Sequence, residues 1–168
     1  HQLSTENIAC ALPGDRVSSR RLEFPFRDRK KLAHAVPFEI EGKMPFHLED
    51  VLVDWQIVGG DRGHAVVAAT IAQRRDISEL LAALSQAGCD PRILEAEGFA
   101  LGNLASLFDL PGRRLLVDLG HRKTTFCLLI DGQSVAARTL PVGGLALTRA
   151  LARQRGIDEQ QAGDALDR

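Results

Sequence analysis

The chain has 168 residues, of which 45% are hydrophobic and 26% charged, and its net charge is −1 at pH 7. This length and composition suit one soluble globular domain or two small ones, and the near-zero charge argues against general electrostatic binding to nucleic acid or to anionic lipid. No run of about 18 apolar residues is present, so the sequence predicts no membrane-spanning helix. The first residue, His1, is not a Met, which indicates an excised or tagged fragment.

The N-terminal half is predicted to alternate strands and helices. Residues 1–15 read as an irregular or weakly strand-like segment. Residues 16–96 then read strand, helix, strand, strand, helix, strand, with Asp28 and Asp76 predicted to cap the two helices. This order is the split βαβ pattern of ferredoxin-like modules, an architecture that hosts many functions and indicates none of them by itself.

Residues 97–168 are predicted to hold a short helix, a three-stranded meander and two further helices. The first meander strand, residues 115–119, is strongly apolar and is predicted to be buried. A tight Asp131-Gly132 turn is predicted to join the second and third strands. Gly143-Gly144 then precedes the next helix.

The end of the first meander strand carries the pattern Asp118-x-Gly120, followed by the hydroxyl of Thr124. Two interpretations stay open. The glycine would let the backbone approach an anion, and the carboxylate would hold a hydrated cation, as in a metal-phosphate loop. Alternatively, the pattern is a plain hairpin turn. Arg138 either neutralises Asp118 from a neighbouring strand or is a solvated strand residue.

Other chemistry-bearing residues favour structural interpretations. Three widely spaced cysteines lack Cys-x-x-Cys spacing and are interpreted as reduced structural thiols. The five histidines lack metal-site spacing, and His47 with Glu49 and Asp50 reads as a solvated connector. Phe24 and Trp55 would serve either as exposed anchors for a partner or as core residues, and their strand patterns favour the core.

Several stretches, in their order and spacing, resemble the PilM/GspL family. They lie at residues 22–26, 31–41, 43–46, 51–55, 87–91, 95–101, 117–120 with Thr124, and 138–148. The family consists of actin-like cytoplasmic proteins of the type IV pilus and type II secretion assembly platforms, which are distant relatives of the division protein FtsA. The resemblance covers about residues 12–168.

The resemblance implies an α/β (α+β) fold of the actin-like, ribonuclease H-like class. Residues 16–96 would be an inserted ferredoxin-like subdomain. Residues 97–168 would be part of the actin-like domain, namely its second phosphate hairpin and the helices that follow. The resemblance therefore predicts that residues 97–168 need neighbours outside this chain to bury their apolar strands.

The resemblance also implies a partial ATP site. Asp118, Gly120 and Thr124 would face phosphate and Mg²⁺, with Asp118 holding the metal through water, while Gly143 and Gly144 would line the cleft. The first phosphate loop and the adenine loop would lie outside this chain. ATP and Mg²⁺ are therefore expected as cofactors of the full-length protein, and no tight binding to this chain and no catalytic residue is expected.

The function that the resemblance implies is that of a non-catalytic, cytoplasmic assembly-platform protein at the bacterial inner membrane. It would link a motor ATPase to a PilN-like N-terminal peptide or a GspM-like protein, would not bind nucleic acid, and could form homo-oligomers. One alternative is a nucleotide-hydrolysing actin-like ATPase. Another is a free-standing ferredoxin-like regulatory domain fused to a small hairpin unit, which predicts that residues 1–96 fold alone.

Overall fold

The computed structural model describes residues 7–166, so residues 1–6 of the predicted N-terminal segment and residues 167–168 lie outside the described part. Strands and helices alternate through this part, and short 3-10 turns precede β2 and β3 and follow α3. The elements are β1 Ile8–Leu12, β2 Val17–Phe24, α1 Arg29–Glu41, β3 Val51–Gly59, β4 Ala65–Gln73, α2 Arg74–Gln86, β5 Pro91–Ala96, α3 Glu97–Gly102, β6 Arg113–Leu119, β7 Thr124–Ile130, β8 Gln133–Leu140, α4 Gly144–Arg155 and α5 Glu159–Leu166.

The described strands form three small sheets. Strands β1 and β5 pair in parallel, β2-β4-β3 form an antiparallel sheet, and β6-β7-β8 form a second antiparallel sheet. The mixed α/β class predicted from the sequence is therefore confirmed.

Helix α1 covers one face of the β2-β4-β3 sheet and forms the main core with it. Its apolar side chains recur every four residues at Leu32, Val36 and Ile40, and all three are buried against the sheet. Asp28 caps the helix, because its Oδ1 accepts the Lys31 N–H at 2.9 Å. Phe24 is buried in this core and Trp55 packs against it, which supports the core interpretation of these aromatics.

The pairing of β5 differs from that of a ferredoxin-like module. The predicted element order of residues 16–96 is present, but β5 pairs with β1 and not with the β2-β4-β3 sheet, which therefore has three strands. Of the two descriptions given for residues 1–15, irregular or weakly strand-like, the strand-like one fits Ile8–Leu12, which forms β1. The physical reason is that strand periodicity identifies a strand without identifying its partner.

The start of α2 also differs from the prediction. The helix follows β4 without a loop, and Gln73 occupies the N-cap position without a capping hydrogen bond. Asp76 therefore lies in the first turn, where it is buried and contacts Arg16 at 3.7 Å and Arg75 at 3.3 Å. A carboxylate there still favours the helix, because it faces the positive end of the helix dipole.

The β6-β7-β8 sheet has one covered face and one open face. Helix α3 lies on the covered face, where Cys127 and Leu129 of β7 are fully buried. The sequence predicted that β6, the first meander strand, is buried. On the open face of the sheet this is wrong, since Leu115, Val117 and Leu119 are 56%, 52% and 60% exposed. Among the described residues β6 is an edge strand, and no described element covers these three side chains.

The turn between β7 and β8 has the predicted two-residue form. Asp131 and Gly132 have φ values of 49° and 78°, which is the left-handed pair that a tight hairpin of this twist requires. The Asp131 side chain also accepts the Gly112 N–H at 2.8 Å, which ties the turn to the start of β6.

After β8, helices α4 and α5 pack on each other, and Ala152 and Ala162 are their buried residues. Asp158 caps α5 by accepting the Gln161 N–H at 2.7 Å. Within residues 7–166, none of the helices has the length and apolar character that crossing a membrane requires.

Candidate functional site

The predicted phosphate hairpin is the loop at residues 120–123, between β6 and β7. The loop is closed by the Gly120 N–H, which donates to the Lys123 carbonyl at 3.0 Å. The start of α4 is bound to the same loop: the Gly144 N–H donates to the Gly120 carbonyl at 2.9 Å, and the Leu145 N–H donates to the His121 carbonyl at 2.8 Å. These two N–H groups are therefore satisfied within the chain and do not face an anion.

Gly143 is the residue that allows this close approach. A Cβ atom at this position would collide with the Gly120 carbonyl oxygen and would lie 2.7 Å from the Lys123 nitrogen. Gly144 has no such constraint, since its Cβ would be 3.8 Å from the same carbonyl oxygen. The structure thus brings Gly120, Gly143 and Gly144 together and gives Gly143 a packing reason for being glycine.

Thr124 is buried beside this junction. Its Oγ1 donates to the Val142 carbonyl at 2.6 Å, which ties β7 to the segment before Gly143. The hydroxyl proton predicted to face phosphate is therefore bonded to the chain's own backbone in this structure.

Asp118 lies at the exposed end of β6, directly opposite Thr125. Its carboxylate makes no hydrogen bond or ion pair with another residue of the part described. The proposed neutralisation by Arg138 is wrong, because Arg138 is paired with Phe126 and so projects from the opposite face of the sheet. No group of three or more His, Cys, Asp or Glu side chains within residues 7–166 is arranged to hold a metal.

A polar cluster beside the hairpin was not identified from the sequence. Lys123 Nζ donates to Glu97 Oε2 at 2.6 Å and lies 3.4 Å from Asp15 Oδ1, while the Gly14 N–H donates to the same Glu97 oxygen at 2.7 Å. The cluster joins the turn before β2, the first residue of α3 and the hairpin. Asp15, Glu97 and Lys123 are far apart in sequence. The only feature of the sequence that could have indicated this cluster is the position of charged residues next to strand ends.

The electrostatics of this cluster favour the charged form of Lys123. Partial burial disfavours the ammonium, but the hydrogen bond from Lys123 to Glu97 and the negative charges of Glu97 and Asp15 outweigh this, so the pKa of Lys123 is raised. The lysine is therefore a fixed cation at the base of the hairpin and stays protonated at neutral pH.

A second candidate site is an apolar groove of about 500 Å³. It lies between α2, β5 and the face of the β2-β4-β3 sheet that α1 leaves uncovered. Its walls are mainly aliphatic, with a few polar groups such as Asp54 and Glu95, and its apolar lining includes Leu12, Leu52, Ala68, Ala72, Ile77, Leu81, Leu94 and Phe99. Such a surface suits an apolar peptide or side chain better than a nucleotide.

The strand order and the hairpin that holds the glycine-rich start of α4 belong to a fold of the actin-like class. The chain belongs to the family described as type IV pilus assembly protein PilM, whose sequence model matches residues 1–167. This confirms the resemblance drawn from the sequence.

Two solved structures illustrate the relationship. The chain is 26% identical to a chain of a PilM–PilN type IV pilus biogenesis complex, with a TM-score of 0.71, covering 89% of this chain and 47% of that one. It is 16% identical to the cytoplasmic domain of EpsL, an inner-membrane component of the type II secretion system of Vibrio cholerae, with a TM-score of 0.56, covering 90% of this chain and 55% of that one. The chain thus spans about half the length of these solved proteins.

Proposed function

We propose that this protein is a non-catalytic assembly-platform component of type IV pilus biogenesis or type II secretion. It acts on the cytoplasmic side of the bacterial inner membrane and links a motor ATPase to membrane partners. Membership of the PilM family and the likeness to a chain of a PilM–PilN complex support this proposal.

The observation that carries the proposal is the apolar groove between α2, β5 and the β2-β4-β3 sheet. Leu52 and Leu81 line it and are 42% and 38% exposed, so apolar surface remains available to a partner. Complete burial of an exposed leucine supplies roughly 1.5–3 kcal/mol, and covering the part of each side chain that is still exposed supplies a fraction of that. A PilN-like N-terminal peptide is the occupant that we propose.

Binding of a labelled PilN-type N-terminal peptide, followed by fluorescence anisotropy, tests this function. We expect Leu52→Asp combined with Leu81→Asp to weaken binding by about tenfold or more, because it places charge in an apolar groove. Phe38→Asp is the matched control, since Phe38 is 77% exposed on α1 and does not line the groove.

Full-affinity binding to the groove variant would contradict the docking site. Absence of peptide binding to the unaltered chain would contradict the assignment of a PilN-like partner. Melting temperatures of the variants separate a loss of binding from a loss of folding.

The second candidate function is nucleotide binding or hydrolysis. The observation that favours it is the hairpin itself, whose tip residues His121 and Arg122 have backbone N–H groups without an acceptor among the described residues. Against turnover, Glu97 Oε2 is already engaged by two donors, and Asp118 belongs to no group of three or more His, Cys, Asp or Glu side chains within residues 7–166. ATP and Mg²⁺, with Asp118, Gly120 and Thr124 beside them, stay a prediction for the full-length protein.

A further inference from the structure

Two adjoining cavities lie where β8 passes β2, and they border the α2 groove at Phe99. One has a volume of about 230 Å³ and the other about 320 Å³. Ser19, Arg20, Phe99, Ala137 and Arg138 line both of them, so together they form one continuous cleft. We refer to it as the β2–β8 cleft.

The charge of this cleft is one-sided. Arg20, Arg21 and Arg138 line it, and neither cavity lining contains an Asp or a Glu. Arg21 is paired with Glu23, but Arg20 makes only a 3.3 Å hydrogen bond to the Ser19 carbonyl, and Arg138 makes no ion pair within residues 7–166. In a chain whose net charge is −1, two unneutralised guanidinium groups on one cleft indicate a surface for an anionic partner.

The two ends of the cleft differ in chemistry. The smaller cavity adds the hydroxyls of Ser18 and Thr139, whereas the larger one is mostly apolar, with Leu115, Phe126 and Leu128 on its wall. An occupant that satisfies both ends must carry negative charge and an apolar group within a few residues of each other.

The backbone of the cleft adds a further feature. Among the described strands, β2 pairs only with β4, and β8 pairs only with β7. Both therefore have an edge that pairs with no other described strand, although the Ser19 and Ser134 carbonyls of these strands accept side-chain hydrogen bonds from Arg20 and Gln56. An extended peptide can use the main-chain groups of such an edge, whereas a free phosphate or a lipid headgroup uses only the arginines.

We propose that the β2–β8 cleft is a docking site for an acidic, partly apolar peptide segment of a partner protein. The carboxylates of the peptide bind Arg20 and Arg138, which can each form paired charge-assisted hydrogen bonds. Its apolar side chain enters the cavity beside Phe126 and Leu128. This site adjoins the α2 groove and shares Phe99 with it, but Arg20 and Arg138 line the cleft and not the groove, so the proposal does not depend on the function proposed for the groove.

Binding of a fluorescein-labelled hexapeptide of alternating Asp and Leu to the 168-residue chain tests this proposal, with a Lys-Leu hexapeptide as the charge-reversed probe. We expect the acidic peptide to bind, and its affinity to fall as the salt concentration rises. Arg20→Gln combined with Arg138→Gln should weaken binding by about tenfold or more, since each substitution removes a charged donor.

The matched control is Arg113→Gln with Arg114→Gln, which removes the same charge from exposed positions that line neither cavity. The control should bind like the unaltered chain, and all variants should keep their melting temperature. Equal weakening in both double variants, equal binding of the two peptides or no binding would overturn the proposal. Full competition by inorganic phosphate at equal affinity would mean that the occupant is a small anion. Arginine-dependent binding to phosphatidylglycerol vesicles, without binding of the peptide, would mean that the occupant is a membrane surface.

Discussion

Lys123 Nζ lies 2.6 Å from Glu97 Oε2, and this ion pair joins the β6–β7 hairpin to the first residue of α3. The same oxygen accepts the Gly14 N–H, so three segments that are distant in sequence meet at one carboxylate. Helix α3 lies on the β6-β7-β8 sheet and follows β5 directly. The ion pair therefore connects the hairpin to the end of the β1-β5 sheet.

The first prediction concerns this ion pair. Lys123→Met should lower the free energy of unfolding by about 1 kcal/mol, because it removes a charged, partly buried hydrogen bond to Glu97. Urea denaturation measures the change. Arg122→Met, at an exposed position in the same hairpin, is the control and should change stability by less than about 0.5 kcal/mol. Equal losses in the two variants would mean that the Glu97 contact adds no stability.

The pH dependence of this contribution has a definite sign. The pKa of Lys123 is raised in the folded chain, so the stabilisation is fully present below the unfolded lysine pKa of about 10.4 and is lost as the pH rises through the folded value. The stability difference between the unaltered chain and Lys123→Met should therefore hold from about pH 7 to 10 and shrink above that range. A difference that stays constant up to about pH 12 would contradict this assignment.

The second prediction concerns the two glycines before α4. Gly143→Ala should destabilise the chain by roughly 1–3 kcal/mol, because its Cβ would collide with the Gly120 carbonyl and force the hairpin from the helix start. Gly144→Ala is the matched control, with ordinary contact distances, and should change stability by less than about 0.5 kcal/mol. Thermal unfolding of both variants checks the difference, and a reversed order would exclude the close-packing explanation.

The third prediction concerns nucleotide. We expect no rise in melting temperature when millimolar Mg·ATP is added to this chain, because the first N–H groups of α4 and the Thr124 hydroxyl are bonded internally. Binding at a site would raise stability by RT ln(1 + [L]/Kd). A clear rise that Asp118→Asn abolishes and Arg138→Gln retains would contradict this expectation, and would favour the nucleotide-binding alternative.

The fourth prediction concerns Cys127. Burial raises the pKa of this thiol, although its hydrogen bond to Ser134 acts in the opposite direction. The folded chain should therefore show two thiols that react readily with Ellman's reagent, the half-buried Cys10 and Cys89, and a third that reacts only after unfolding. Cys127→Ser should remove only the reaction that requires unfolding and should leave the two fast reactions unchanged. Fast reaction of all three thiols would contradict the burial of Cys127.

The sequence predicted local structure well where a short pattern is sufficient. The helical spacing of Leu32, Val36 and Ile40 defined α1, Asp28 defined its start, and Asp131-Gly132 defined the β7–β8 turn. Each of these depends on a few neighbouring residues, since capping, periodicity and turn conformation are short-range effects. The order of the stretches that resemble the PilM/GspL family added the actin-like class, and the family was then confirmed.

Candidate site residues were predicted only in part. The sequence identified Gly120 and Gly143 as candidate site residues. It gave no indication that the Gly144 and Leu145 N–H groups donate to the hairpin carbonyls. It also suggested that Arg138 could neutralise Asp118, whereas the register places them on opposite faces of the sheet. Strand register is set by long-range pairing, so a sequence pattern cannot identify which side chains share a face across two hairpins.

The sequence by itself determined most of the segments of this protein that form helices and strands, where most of these begin and end, and which family it resembles. Only the tertiary structure decided that β5 pairs with β1, that the outer face of β6 is exposed, and that Glu97 holds Lys123. The first set depends on interactions between residues close in the chain. The second depends on which surfaces meet when the chain folds, and contacts between residues 26 to 84 positions apart leave no local pattern.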